Sequence, residues 1–372
     1  MNTLPPFKLE RYFAQYEFSS PYLLSASDCE SLTMRELLDL ADADSLMRWE
    51  KLVLSYTESQ GLTALREEVS ALTPGLTPDD VLMLAPEEGI FIAMLTLLEP
   101  GDHVVGVWPA YQSLYDVAHW RGCEFTPWRA RSNAGEWEFD LDDLKRSITS
   151  RTKLLIINFP HNPTGCLLSR DRLDQIIRFA EQHKLAIFSD EMYRGLEYDH
   201  ATRLPAVCEL YDQGISLSGF SKAYALPGLR IGWLATRNRE WMKHWQIAKD
   251  YTTICSSAPS EVLALMAIRA RQQILERNRA IITENLSAAR MFFSEFASQF
   301  TWLPPHAGTV AFPLWRGEGS IEQFCQQVLA TQGVMIVPGS LFDMQGNYFR
   351  IGLGRRNFVE ALGKVRSFIN TL

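Results

Sequence analysis

No stretch of this chain approaches the roughly 18 to 20 consecutive apolar residues that a membrane span requires. The first residues, Met1-Asn2-Thr3-Leu4-Pro5-Pro6, carry no apolar signal-peptide run either. CxxC spacing is absent: Cys29, Cys123, Cys166, Cys208, Cys255 and Cys325 are scattered. That argues against a disulfide framework and a zinc knuckle, and for a reducing, cytoplasmic setting. There is no basic block, and the net charge is −8, which points away from a nucleic-acid surface. The first strand-like run, Val81 to Gly89, lacks the Gly-x-Gly-x-x-Gly of a dinucleotide dehydrogenase. No internal repeat or low-complexity tract occurs. What remains is a 372-residue chain, 47% hydrophobic and 22% charged, long enough for a full core and a second lobe.

The apolar pattern alternates short runs with helical stretches. Val81–Leu84, Val104–Val107, Glu124–Thr126, Lys153–Asn158, Leu185–Ser189, Ile215–Ser218 and Ile231–Ala235 read as strands, the last as a candidate antiparallel one. Helical periodicity covers Pro86–Leu98, Ala110–Arg121, Asp140–Ile148 and Ser169–His183 between them. Such alternation predicts an α/β fold, a mainly parallel, seven-stranded-type sheet with helices on both faces. Before it stand an aromatic and charged arm, Phe7–Phe18, and a short helix from Thr33, a good N-cap, to Leu40. After Asn238 come helices, including Arg277–Gln299, long enough to join two lobes, and then a smaller α+β unit. The expected division is an arm and part of a small domain at 1–45, a large domain at 46–275 and a small domain at 276–372.

Several residues carry chemistry. Lys222 sits in a loop of small residues flanked by Phe220, Tyr224, Leu226 and Leu229. Desolvation there lowers an amine's pKa and suits it to bond a carbonyl carbon. Arg230 adds a positive charge that depresses that pKa further and suits a phosphate. Asn162, in Asn158-Phe159-Pro160-His161-Asn162-Pro163-Thr164-Gly165, and Asp190, in Ser189-Asp190-Glu191-Met192-Tyr193, follow apolar strands at the end where parallel sheets bind ligands. A plain proline-rich turn and a helix N-cap fit those two positions as well. Arg350 lies in an apolar strand, Tyr348-Phe349-Arg350-Ile351-Gly352, where an unpaired guanidinium is costly and a carboxylate partner answers the cost. Arg355 and Arg356, beside a helix start, read as surface charge.

At Ser221-Lys222, Gly228-Leu229-Arg230-Ile231-Gly232-Trp233, Asn162-Pro163-Thr164-Gly165 and Asp190-Glu191-Met192-Tyr193, the chain resembles the class I/II aminotransferases of fold type I. The resemblance runs from about Tyr56 to Arg350 and implies pyridoxal 5'-phosphate as cofactor. It makes Lys222 the Schiff-base lysine, Asp190 the partner of the ring nitrogen, and Asn162 and Tyr193 donors to the phenolic oxygen. Tyr111 and Met192 would cover the two ring faces, and Arg230 and Ser221 would hold the phosphate. Tyr56 would reach the phosphate of a partner subunit, so a homodimer with shared sites is expected. Arg350, with Asn162, would bind the substrate carboxylate. Two positions depart from the family pattern: Ala85-Pro86-Glu87 stands at the phosphate-cradling loop, and Gly219 where a hydroxyl is frequent. Pro86 and Glu87 are still placed in the cofactor site, with the Glu87 carboxylate turned away from the phosphate.

These readings predict an aminotransferase moving an amino group between an amino acid and a 2-oxo acid. A β-lyase, racemase or hydroxylating enzyme of the same fold shares every residue above. A ligand-sensing regulatory domain would need a basic helix-turn-helix module ahead of the fold, which is not seen in this sequence.

Overall fold

The computed structural model describes residues 3–371. Its centre is an eight-stranded sheet made of β1 (Val81–Leu84), β2 (His103–Trp108), β3 (Glu124–Asn133), β4 (Glu136–Phe139), β5 (Thr152–Asn158), β6 (Ala186–Asp190), β7 (Gly214–Gly219) and β8 (Gly232–Ala235). Their spatial order is β1-β8-β7-β6-β5-β2-β3-β4. Neighbours from β7 to β3 pair in parallel, while β8 is antiparallel to both β1 and β7. All seven expected strands are present. β4 is additional, a hairpin return from β3 turned at Ala134-Gly135. Pro127 makes the β3 run read short, yet β4 pairs only from Ala130 onward, so β3 is an open edge at the proline.

Burial on both faces explains the unbroken apolar strands. Leu154, Ile156, Phe188, Ile215 and Leu217 pack with Ile90 and Met94 of helix Pro86–Leu97 on one side. Val105, Val107, Leu155, Ile157 and Ile187 pack with Leu173, Ile176 and Ile177 of helix Arg170–His183 on the other. The parallel strands therefore end together, and Trp108, Asn158, Asp190 and Gly219 lie along one edge of the sheet.

The first turn of helix Pro86–Leu97 presses on the end of β7 and β8. Gly219 faces Gly232 there; a Cβ on Gly232 would meet Ser218 O at 2.4 Å and Pro86 Cγ at 2.8 Å. A Cβ on Gly219 would lie 3.0 Å from Pro86 Cγ, so the two departures from the family pattern fit each other. Gly232→Ala should lower stability by about 1–3 kcal/mol through overpacking. A denaturation midpoint equal to that of the unsubstituted protein would contradict this packing.

Around the sheet, helix Thr63–Ser70 and helix Ala258–Arg269 pack together near β1. Helix Arg271–Glu295 begins earlier than expected and runs unbroken across residue 275. The remaining chain forms a three-stranded sheet, in the order Val310–Ala311, Phe349–Gly352, Val337–Pro338, with helices Ile321–Gln332 and Phe358–Ile369. The N-terminal arm joins this unit through Tyr22–Leu23, which pairs in parallel with Val334–Met335. Thr33 caps helix Met34–Asp39 in a reciprocal box with Glu36. Among the described residues no helix is long and apolar enough to cross a membrane.

Candidate active site

A cavity of about 670 Å³ opens where the parallel strands end. Lys222, in the loop after β7, reaches it and donates from Nζ to Ser27 Oγ at 2.8 Å. Burial lowers the pKa of this amine; Asp28 and Glu10 oppose the shift, and Arg350 and Arg230 add to it. A neutral amine in a desolvated pocket is a nucleophile and a proton carrier.

Three strand ends supply the floor. Asp190, the last residue of β6, accepts from Met192 N–H at 3.1 Å through Oδ1. Among the described residues nothing bonds its Oδ2. Burial pushes its carboxyl up to about 6, against the pull of that backbone N–H and of Lys222. Asn158, ending β5, ties the neighbouring loop down: its Nδ2 donates to Asp190 O and its Oδ1 accepts from Asn162 N–H. The Asn162 side chain gives Oδ1 to Arg350 Nη1 at 3.2 Å, which leaves its Nδ2 to donate elsewhere. Tyr193 lines the same cavity, and its hydroxyl donates to Ser27 O at 3.0 Å. Desolvation holds that phenol up at about 12. Glu191 is buried and has a structural role: it accepts from Val207 N–H and Ser216 Oγ, tying β7 to the short helix Val207–Leu210 that precedes it.

Pro86, Glu87, Ser221 and Arg230 line one end of the cavity. Pro86 opens its helix, leaving the next N–H groups directed outward, a setting that favours an anion. Glu87 lines the cavity, and its carboxyl feels the Ser113 hydroxyl and then the charges of Glu10, Asp190 and Arg230. Burial pushes it up to about 7, so near neutrality it is substantially protonated and a far milder neighbour for an anion than a carboxylate. Tyr111 and Met192 lie in the lining as well; the Tyr111 ring meets Phe7 at 5.0 Å, and its hydroxyl donates to Glu10 Oε1 at 2.8 Å. Tyr56 is 85% exposed and does not line its own chain's cavity.

Arg350 is 1% exposed, and its Nε has no partner. Nη2 donates to Ser25 O at 3.0 Å, and no carboxylate of the described residues pairs with it. Desolvation lowers its pKa. A buried, uncompensated guanidinium beside an open cavity is a site for an incoming carboxylate.

The sequence shows the N-terminal arm but not that it closes this cavity. Ser25, Ser27 and Asp28 follow the Tyr22–Leu23 strand, and Glu10, Phe13 and Glu17 come from helix Lys8–Tyr16 and its C-cap. Arg355, read as surface charge, instead lines the cavity and donates from Nη2 to both Asp28 oxygens, at 3.0 and 3.1 Å.

The family model "Aminotransferase class I and II" matches residues 23–362. Capreomycidine synthase of Streptomyces vinaceus is 31% identical over 360 residues, 94% of this chain and 89% of that protein. An aspartate aminotransferase of Thermotoga maritima is 25% identical, over 86% of this chain and 84% of its own. A PLP-dependent aminotransferase structure from Streptococcus suis superimposes with a TM-score of 0.93 at 32% identity, covering 100% of this chain and 99% of that one. With a matched span that takes in every cavity residue from Ala26 to Arg355, the chain belongs to the class I and II aminotransferases, enzymes of fold type I that use pyridoxal 5'-phosphate.

Proposed function

We propose that this enzyme moves the amino group of an amino acid to a 2-oxo acid, with Lys222 as its catalytic residue and Arg350 as the anchor for the substrate's carboxylate. The observation that carries the proposal is the pairing of these two in one cavity: a buried amine with a lowered pKa and a buried guanidinium with an unpartnered Nε.

The residues fit the cofactor. The volume, about 670 Å³, suits a cofactor plus a small substrate. Asp190 keeps a free oxygen for a protonated ring nitrogen, and its raised pKa marks a carboxyl that lacks a cationic partner. Asn162 Nδ2 would donate to the phenolic oxygen, joined by the Tyr193 hydroxyl once it turns from Ser27 O, and Met192 and Tyr111 would cover the ring faces. Arg230, Ser221 and the N–H groups after Pro86 would hold the phosphate. When bound, pyridoxal phosphate supplies an electron sink that lets a proton leave the carbon bearing the amine.

The chain's own groups do the rest. Arg350 and Asn162 orient the substrate so that its α-hydrogen faces Lys222. The Lys222 amine takes that proton and returns it at short range to a neighbouring carbon, Ser27 Oγ accepting from it between transfers. Asp190 would keep the ring nitrogen protonated, and the arm would exclude water above the reacting atoms.

The active unit in this reading is a homodimer. Val53, Leu54, Tyr56, Tyr251 and Ile254 are all exposed, and Thr57 Oγ1 donates to Ser256 O, so the two segments adjoin in one apolar face. A second copy on that face would carry Tyr56 to its neighbour's phosphate. We place the domain divisions at 45–46 and 275–276, the second inside the long helix.

An expected result concerns pH. Asp190 and Glu87, at about 6 and about 7, hold protons in the folded, cofactor-free chain that the unfolded chain has already released. Their contribution to stability is therefore full below the unfolded carboxylate range and declines as pH rises through those values. A cationic ring nitrogen reverses the term for Asp190. The gap in Tm between cofactor-loaded and cofactor-free protein should widen from pH 5 to pH 8, conditions chosen to bracket both values. A constant or shrinking gap would remove Asp190 from the cofactor site. The proposal as a whole is tested by supplying an amino acid with a 2-oxo acid and following the exchanged pair.

A further inference from the structure

Helix Lys8–Tyr16 lays one stripe of side chains on the cavity: Glu10, Phe13 and Glu17, spaced i, i+3, i+7 along a single face. The helix is fastened over the cavity at its first residue and at its middle. Lys8 forms an ion pair with Asp343, Lys8 N–H donates to Gln112 Oε1 at 2.8 Å, and the Tyr12 hydroxyl donates to Ile336 O at 2.9 Å. We propose that this stripe, with Glu17 and Glu10 on either side of Phe13, is a subsite for a positively charged substrate side chain, so that the enzyme takes amino acids ending in an amine or a guanidinium. This deepens the transamination reading and rests on it.

Charge pairing inside the cavity argues the point. Asp28 is taken by Arg355 in a two-bond pair. In the reading above, Asp190 meets the ring nitrogen, Arg230 the phosphate and Arg350 the substrate carboxylate. Glu10 and Glu17 remain. Neither has a cationic partner within 4.0 Å among the described residues, and Glu10 accepts only the Tyr111 hydroxyl. Glu17 is half-buried, and burial followed by the charge of Asp28 raises its carboxyl's pKa, opposed by Arg355 and Lys222. An uncompensated carboxylate in such a place is stabilised by a cation that arrives with the substrate.

Arg350 supplies the independent observation. Its guanidinium, 1% exposed, bonded to Asn162 and Ser25 and with Nε left without a partner, would fix where the α-carboxylate end sits, and it lies 5.9 Å from the centroid of the Phe13 ring. Each glutamate is about one helical turn from Phe13, ~5 Å along the axis, within reach of a long side chain. The phenyl ring between them suits an apolar stem and a cationic head. The same stripe repels a second carboxylate, so a dicarboxylic substrate, as in relatives named aspartate aminotransferases, is disfavoured here.

The test uses the holoenzyme and follows cofactor absorbance on mixing with L-arginine, L-lysine, L-norleucine or L-aspartate without a 2-oxo acid. The two cationic amino acids should exceed norleucine in second-order rate constant by about tenfold or more, with aspartate slowest. Glu17→Gln and Glu10→Gln keep side-chain shape and remove charge; each should shrink the arginine-to-norleucine ratio by several-fold to about tenfold. Norleucine or aspartate matching arginine in the unsubstituted enzyme would overturn the subsite while leaving transamination intact, whatever the variants do. A ratio unmoved in both variants would overturn it too. If no amino acid altered the absorbance, both readings would fall together.

Discussion

Lys222→Ala should lower turnover by more than about 10⁴-fold, because one side chain serves as both nucleophile and proton carrier. The loss is one of chemistry rather than of fold. Lys222 contributes one hydrogen bond, to Ser27 Oγ, and Ser27 stays in place because Tyr193 and Thr309 both donate to its backbone carbonyl. Asp190, Arg230 and Asn162 are untouched, so the variant should still take up cofactor, without a covalent link. Borohydride treatment should then fix no cofactor to the chain, whereas in the unsubstituted protein it should fix it at Lys222. A small added amine should restore part of the proton transfer, at a rate set by its concentration, since only the tether is missing. Cofactor fixed at another lysine would contradict the assignment.

Arg350→Lys should reduce kcat/KM by about 10²- to 10³-fold for every amino acid tested, because the α-carboxylate is common to all of them. Lysine keeps the charge but cannot reproduce the planar fork in which Nη1 meets Asn162 Oδ1, Nη2 meets Ser25 O and Nε faces no protein partner. Cofactor affinity should change little, which separates this variant from those at Asp190 or Arg230. The substitution also loosens one tie on the arm at Ser25, so a small fall in Tm is expected beside the kinetic loss. A variant that binds amino acids normally would show that the carboxylate is held elsewhere.

Much of the cavity was legible in the sequence, and the reason is physical. Lys222, Asp190 and Asn162 stand just after apolar strands, and parallel sheets open their crevices there, so residue type and position speak together. Arg350 was legible because a guanidinium inside an apolar strand demands a partner. The arm's part in the cavity was not. Ser27, Asp28, Glu10 and Glu17 reach the cavity only because Tyr22–Leu23 pairs with Val334–Met335, more than three hundred residues away, and no local pattern records that pairing. Arg355 was misread for the same reason: its partner, Asp28, belongs to the arm. At Glu87 the region was legible but the state of the acid was not, since burial decides how costly an acid is beside an anion. β4 was missed because Pro127 masked the length of β3.

The central claim is that Lys222 and Arg350 serve amino transfer, and that elimination by the same residues is not the main course. The most direct measurement is a half-reaction: holoenzyme, one reactive amino acid and no 2-oxo acid. Amino transfer predicts that the cofactor ends in its amine form, with one 2-oxo acid released per site and no further product. Continuous release of ammonia and a 2-oxo acid from a β-substituted amino acid, with no amine form accumulating, would contradict it.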